Sequence, residues 1–148
     1  MGFDNYAVLG MRNSNLSEKE ITELLSKLQK TCCATRKWIK WHGPHVDFFD
    51  AILKSYGDRA EFVRFLIGEE GNLLEVTVYE DGKAVTSEYK LLTLEVFTGY
   101  SHSDLLKLPS KQYEKWIESY DKYRRKTVDL AVTQMKLHVL EVEELEDR

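Results

Sequence analysis

Residues 61–94 read EFVRFLIGEEGNLLEVTVYEDGKAVTSEYKLLTL. Three runs rich in β-branched and aromatic side chains, Phe62–Ile67, Leu73–Tyr79 and Ala84–Leu94, stand between turn signals, which is the pattern of successive strands. Asp81-Gly82 tolerates the left-handed backbone of a two-residue type I′ hairpin, and Glu69-Glu70-Gly71-Asn72 makes a slightly longer turn. Two linked hairpins form an antiparallel meander. In its middle strand Leu74, Val76 and Val78 alternate with Glu75, Thr77 and Tyr79, so one packed face and one largely wet face are expected. The fold class that follows is α+β, an antiparallel meander of three to four strands packed on one face by helices.

On the N-terminal side, Tyr6-Ala7-Val8-Leu9 reads as a short strand ended by Gly10. Ser17 followed by Glu20 is a capping box, with Leu16 and Ile21 placed as its hydrophobic staple. Ile21, Leu24, Leu25 and Leu28 then recur at threes and fours and mark the core face of a helix that ends between Thr31 and His42. Pro44 suits the first turn of a second helix, carried by Val46, Phe49, Ile52, Leu53 and Tyr56 and stopped by Gly57.

Beyond the meander, Gly99 to Pro109 is a connection with room for a short helix from Ser103. Ser110 to Arg148 contains neither Gly nor Pro, and Ile117, Tyr120, Arg124, Val128, Ala131, Met135, Val139, Val142 and Leu145 form a stripe of threes and fours. A long C-terminal helix is expected, which would also carry His138. The competing strand reading of Val128–Val132 and Met135–Val139 changes phase between the two pieces. Leu130, Leu137 and Leu140 fall off the stripe, and this apolar surplus is what a homodimer through the C-terminal helix would consume.

The 148 residues suit one domain spanning 1–148, with 43% hydrophobic and 31% charged residues supplying an ordinary core and surface. A net charge of -4 argues against a surface that is wholly a trap for nucleic acid. No apolar run approaches the about 20 residues that cross a bilayer, and Met1–Gly10 lacks the basic leader and apolar core of a secretory signal, so a cytoplasmic protein without membrane contact is expected. Cys32 and Cys33 are adjacent, a spacing that strains a mutual disulfide, and no C-x-x-C pair is present.

The most unusual composition lies between Leu24 and Val46, where Arg36, Lys37, Trp38, Lys40, Trp41, His42 and His45 interleave cations with aromatic rings and no carboxylate. Cations neutralise phosphates and indoles stack on bases, so a nucleotide, a nucleic acid or another phosphorylated ligand suits such a surface. The bland account puts an indole in the core with lysines fringing it. Arg124 and Arg125, on the C-terminal helix among Tyr113, Trp116, Tyr120 and Tyr123, form a second basic and aromatic region. If both regions faced one groove they would make a single anion site.

His42-x-x-His45-x-Asp47 holds suitable metal donors, but Gly43-Pro44 interrupts it and no second cluster accompanies it, so no metal is expected. No P-loop, dinucleotide fingerprint or nucleophile elbow is present, and no cofactor is expected. The leading expectation is a small binding or regulatory protein acting through a protein surface or an anion-accepting groove, with a protein partner. The alternative is an enzyme on a phosphate-bearing or nucleotide substrate, using Arg36, Lys37, His42, His45 and His102.

Overall fold

The computed structural model describes residues 4–31, 38–40, 50–68 and 71–140. Its elements are β1 (Asp4–Arg12), α1 (Glu18–Thr31), β2 (Trp38–Lys40), a helical stretch over 50–54, β3 (Glu61–Ile67), β4 (Leu73–Glu80), β5 (Lys83–Lys90), α2 (Leu94–Thr98), α3 (His102–Lys107), α4 (Ser110–Gln134) and β6 (His138–Leu140). The α+β class, the meander β3-β4-β5 and the long C-terminal helix all stand. No helix among the described residues is long and apolar enough to cross a membrane.

All pairings are antiparallel in the order β2-β1-β3-β4-β5. On the far side of β1, β2 pairs over Asp4–Tyr6 and β6 over Leu9–Met11, so two short strands share one edge in succession. The N-terminal strand therefore does not stop at Gly10 but runs through it to Arg12. Gly10 sits where Leu137 crosses β1, and a Cβ there would lie 2.7 Å from the Leu137 Cβ. The glycine is a close-approach site rather than a strand breaker.

Helices cover both faces of the sheet, not one. Ala7, Leu9, Met11, Phe62 and Tyr79 pack against Leu24 and Leu28 of α1 and Leu53 of the 50–54 stretch. Val8, Val63, Phe65, Ile67 and Leu74 pack against Val128 and Val132 of α4. The expected wet face of β4 is accordingly corrected: Thr77 and Tyr79 are fully buried under the α1 layer. There Arg64 donates to Asp50 at 3.3 Å and to Thr77 Oγ1 at 3.2 Å, and Tyr79 donates to Asp50. Buried polar groups at these positions survive because each meets a partner.

Local signals held where the chemistry is short-range. Glu20 N–H donates to Ser17 Oγ at 3.2 Å and Ser17 N–H to Glu20 Oε1 at 3.3 Å, closing the capping box, with Leu16 and Ile21 packed on the core. Asp81 and Gly82 take φ of 53° and 76° between Glu80 and Lys83, as a type I′ turn requires. The second helix was expected over Pro44–Gly57. Residues 50–54 are its described part, and Pro44, Val46 and Phe49 lie outside the described residues.

The C-terminal helix is shorter than its apolar stripe. It ends at Gln134, Lys136 turns with φ 55°, and the chain re-enters the sheet as β6, so His138 lies on a strand. Val139 then faces the α4 layer and Leu140 the α1 layer. Leu140, read as helix surplus, and Val139, read as part of the helix stripe, are in fact alternating strand residues. Leu137 packs against the α4 core and Leu140 is buried, which leaves only Leu130 of the three exposed and removes most of the reason for a dimer through α4.

Candidate binding cleft

Three helix termini set the cleft. Thr93 caps α2 by accepting from Val96 N–H at 3.3 Å, and Gly99 ends it with φ 79°. Ser101 caps α3 by accepting from Asp104 N–H at 3.2 Å. The short helix therefore starts at His102, one residue before the expected Ser103, and Ser101 and Asp104 serve as ordinary cap chemistry. Pro109 then redirects the chain into α4.

Aromatic side chains hold α2 against α4. Phe97 stacks on Tyr123 at 5.3 Å between centroids and meets Tyr120 at 5.4 Å and Trp116 edge-on at 6.2 Å. Tyr120 donates its hydroxyl to Leu92 C=O at 2.6 Å, and Leu92 N–H donates to Tyr123 Oη at 3.0 Å. The two phenols thus satisfy both backbone groups of the residue that links β5 to α2. Burial pushes the Tyr120 phenol above its ordinary range, which keeps it a neutral donor.

Between α2, α3 and α4 lies a cavity of about 690 Å³. Ligand pockets usually span about 300–1,000 Å³. Leu94, Leu105, Tyr113 and Tyr120 line its interior, and Leu106 and Ile117 line it while remaining 66% and 38% exposed. Asn72, Thr93, Glu95, His102 and Arg124 complete the lining with polar groups. Glu95 and His102 face each other at 3.8 Å on the rim, and the His102 side chain is 77% exposed. Asn72 holds Leu91 C=O at 3.1 Å.

Arg124 also lines this cleft, but its buried guanidinium works on the protein itself. It donates to Gly68 C=O at 2.8 Å and Gly71 C=O at 2.9 Å, pairs with Asp121 at 2.7 Å, and lies 5.0 Å from the Tyr120 ring centroid. It ties the β3–β4 loop to α4. Arg125 pairs with Asp121 at 3.2 Å. Trp38 and Lys40 lie on β2, at the sheet edge beyond β1, opposite Tyr6 and Asp4. Arg36, Lys37, Trp41, His42, His45 and Asp47 lie outside the described residues.

Sequence reasoning missed Leu94, Leu105 and Leu106 as site residues and placed Ile117 in the core stripe. The available signal was the pair Leu105-Leu106 on a helix too short to bury both, of which one is buried and one exposed. A second, shallower hollow of about 530 Å³ carries Arg12, Lys136 and His138 beside Met11 and Met135. Arg12 pairs with Glu61 at 2.8 Å, and the hollow lies at the negative C-terminal end of α4, which opposes an anion there. Comparison of the chain with protein-family models, curated proteins and solved structures finds no match.

Proposed function

We propose that this is a small binding or regulatory protein that works through a protein surface, its α2–α3–α4 cleft receiving bulky apolar side chains of a partner. One observation carries the reading: a cavity of about 690 Å³, whose mixed lining includes Leu94 and Leu105, has the exposed Leu106 and Ile117 in its wall. Leu92 and Val96, flanking the lining residues Thr93–Glu95, are exposed as well. Apolar surface gathered round a concavity is the signature of a docking site, whereas scattered exposed leucines are not. Each large apolar side chain sunk there would contribute about 1.5–3 kcal/mol before ordering costs.

Catalysis on a phosphate-bearing substrate draws less support. Of its five candidates only His102 lies among the described residues, and its described ionic neighbour is Glu95, an acceptor that repels phosphate. The groove built from Arg124 and Arg125 would have to recruit guanidinium groups already bound to Asp121.

The test places a photo-cross-linking residue at Leu106 and, as control, at the exposed Leu130. A protein captured from position 106 alone, and bound after purification with affinity lowered about tenfold or more by Ile117→Asp, is the expected result. Unchanged affinity in a folded Ile117→Asp chain would remove the cleft from the interaction.

A further inference from the structure

Among the described residues β5 is the last strand on its side of the sheet, paired with β4 without a bulge from Leu73↔Lys90 to Glu80↔Lys83. It contains no proline. Its outer edge therefore offers a regular row of backbone donors and acceptors, a template for a further strand. The type I′ turn settles which groups these are. Glu80 and Lys83 close the turn as a hydrogen-bonded pair, so Val85, Ser87 and Tyr89 bond inward to β4 while Ala84, Thr86, Glu88 and Lys90 direct N–H and C=O outward.

The side chains add a second asymmetry. Ala84 packs with the α1 core, and Thr86 Oγ1 meets Thr77 Oγ1 at 2.9 Å on that same face. Val85, Ser87 and Tyr89 stand on the other face, opposite Val78, Val76 and Leu74. Helix α4 covers β1, β3 and part of β4 but leaves Val85 and Tyr89 64% and 55% exposed. Two large apolar side chains thus stand on an open edge strand, separated by one serine.

We propose that a second copy of this chain docks here, β5 against β5, antiparallel about a twofold axis through Ser87, joining the two sheets into one. An axis perpendicular to the sheet keeps both α4 layers on one side, so only registers that match faces are allowed. With Glu88 on the axis, two carboxylates oppose each other. With Thr86 on it, Val85 faces Ser87 and Tyr89 faces Lys83, so each apolar chain meets a polar one.

The Ser87 register overlaps from Ala84 to Lys90 in both copies and sets Val85 of each copy opposite Tyr89 of the other. These are non-hydrogen-bonded positions, where opposed Cα atoms approach to about 4.5 Å and β-branched with aromatic pairs stabilise best. Ala84 with Lys90 and Thr86 with Glu88 then carry the ladder hydrogen bonds, and no like charges stand directly opposite. The edge is complementary to itself. No β5 residue lines the α2–α3–α4 cleft, so this surface is independent of the docking cleft proposed above.

Analytical ultracentrifugation of the full chain tests association, and single cysteines test register. The wild type should show a concentration-dependent dimer, with Val85→Lys raising its dissociation constant about tenfold or more. Under mild oxidation Ser87→Cys should form a dimer whose peptide map joins position 87 to position 87, because opposed residues there fall within disulfide reach. Native Cys32 and Cys33 are kept, and the peptide map distinguishes their products. Thr86→Cys should bridge far less. A chain that stays monomeric at every concentration, a Val85→Lys dimer as tight as the wild type, or preferential bridging in Thr86→Cys would each overturn the proposal.

Discussion

Lys136 occupies a position that glycine usually fills. Its N–H bonds Thr133 C=O and the next N–H, from Leu137, bonds Val132 C=O, both at 3.1 Å, the paired contacts of a Schellman helix end. With φ 55° a residue bearing a Cβ is strained there by about 1–2 kcal/mol, while a glycine gives back about 0.5–1 kcal/mol of chain entropy. Lys136→Gly should therefore raise stability by about 0.5 kcal/mol, read as a higher urea midpoint at unchanged slope. A lower midpoint would mean that the lysine charge at the helix end outweighs the strain. The turn is worth the strain because it delivers Leu137 onto Gly10, where any side chain on β1 would collide. Neither residue announced this alone: Gly10 looked like a terminator and Lys136 like one more helical lysine, since the reason for each lies in the other.

At the level of elements, legibility followed the range of the determining contact. The start of helix α1 and the β4–β5 turn are written in stretches of four residues, Ser17–Glu20 and Glu80–Lys83, and both formed as read, whereas the strand read as Ala84–Leu94 ends at Lys90 and Leu94 opens α2. The end of α4 and the existence of β6 depend on a strand more than a hundred residues earlier, so periodicity alone ran the helix on. The cleft was illegible for a related reason: it is the space that three helices leave between them, and no single segment encodes a gap. The α1 cap does carry a pH signature. Arg59 grips Glu20 through both oxygens, at 2.8 and 2.6 Å, and with the Ser17 backbone N–H holds the carboxyl at about 2 instead of 4.5. A folded-state value below the unfolded one stabilises at pH above 4.5, and that contribution disappears as pH falls toward 2. The melting temperature should consequently fall more steeply across this window in the wild type than in Glu20→Gln, and the two curves should converge at its acid end. Parallel curves would show that the pair adds nothing to folding, as exposed pairs often do.

On the scale of the whole molecule, the sheet is a shared wall between two cores. β3 lies at its centre, with Phe62 in the α1 layer and Val63, Phe65 and Ile67 in the α4 layer. Neither layer can lose its sheet face without the other losing it too, so the two cores should melt as one unit. Leu28→Ala cuts the α1 layer and should cost about 2–5 kcal/mol, and Val128→Ala cuts the α4 layer and should cost roughly 1–3 kcal/mol, since both side chains are fully buried. Although the two substitutions sit on opposite faces, each should lower one common transition, with far-ultraviolet and near-ultraviolet circular dichroism tracing the same curve in urea. If Leu28→Ala instead split the transition, leaving the Phe97–Trp116–Tyr120 cluster of the α4 side folded at a urea concentration that melts α1, β3 would not be coupling the layers and the single-domain reading would fail. Coincident curves in both variants would establish the opposite: the strand that decided the fold from its sequence also transmits stability between its two halves.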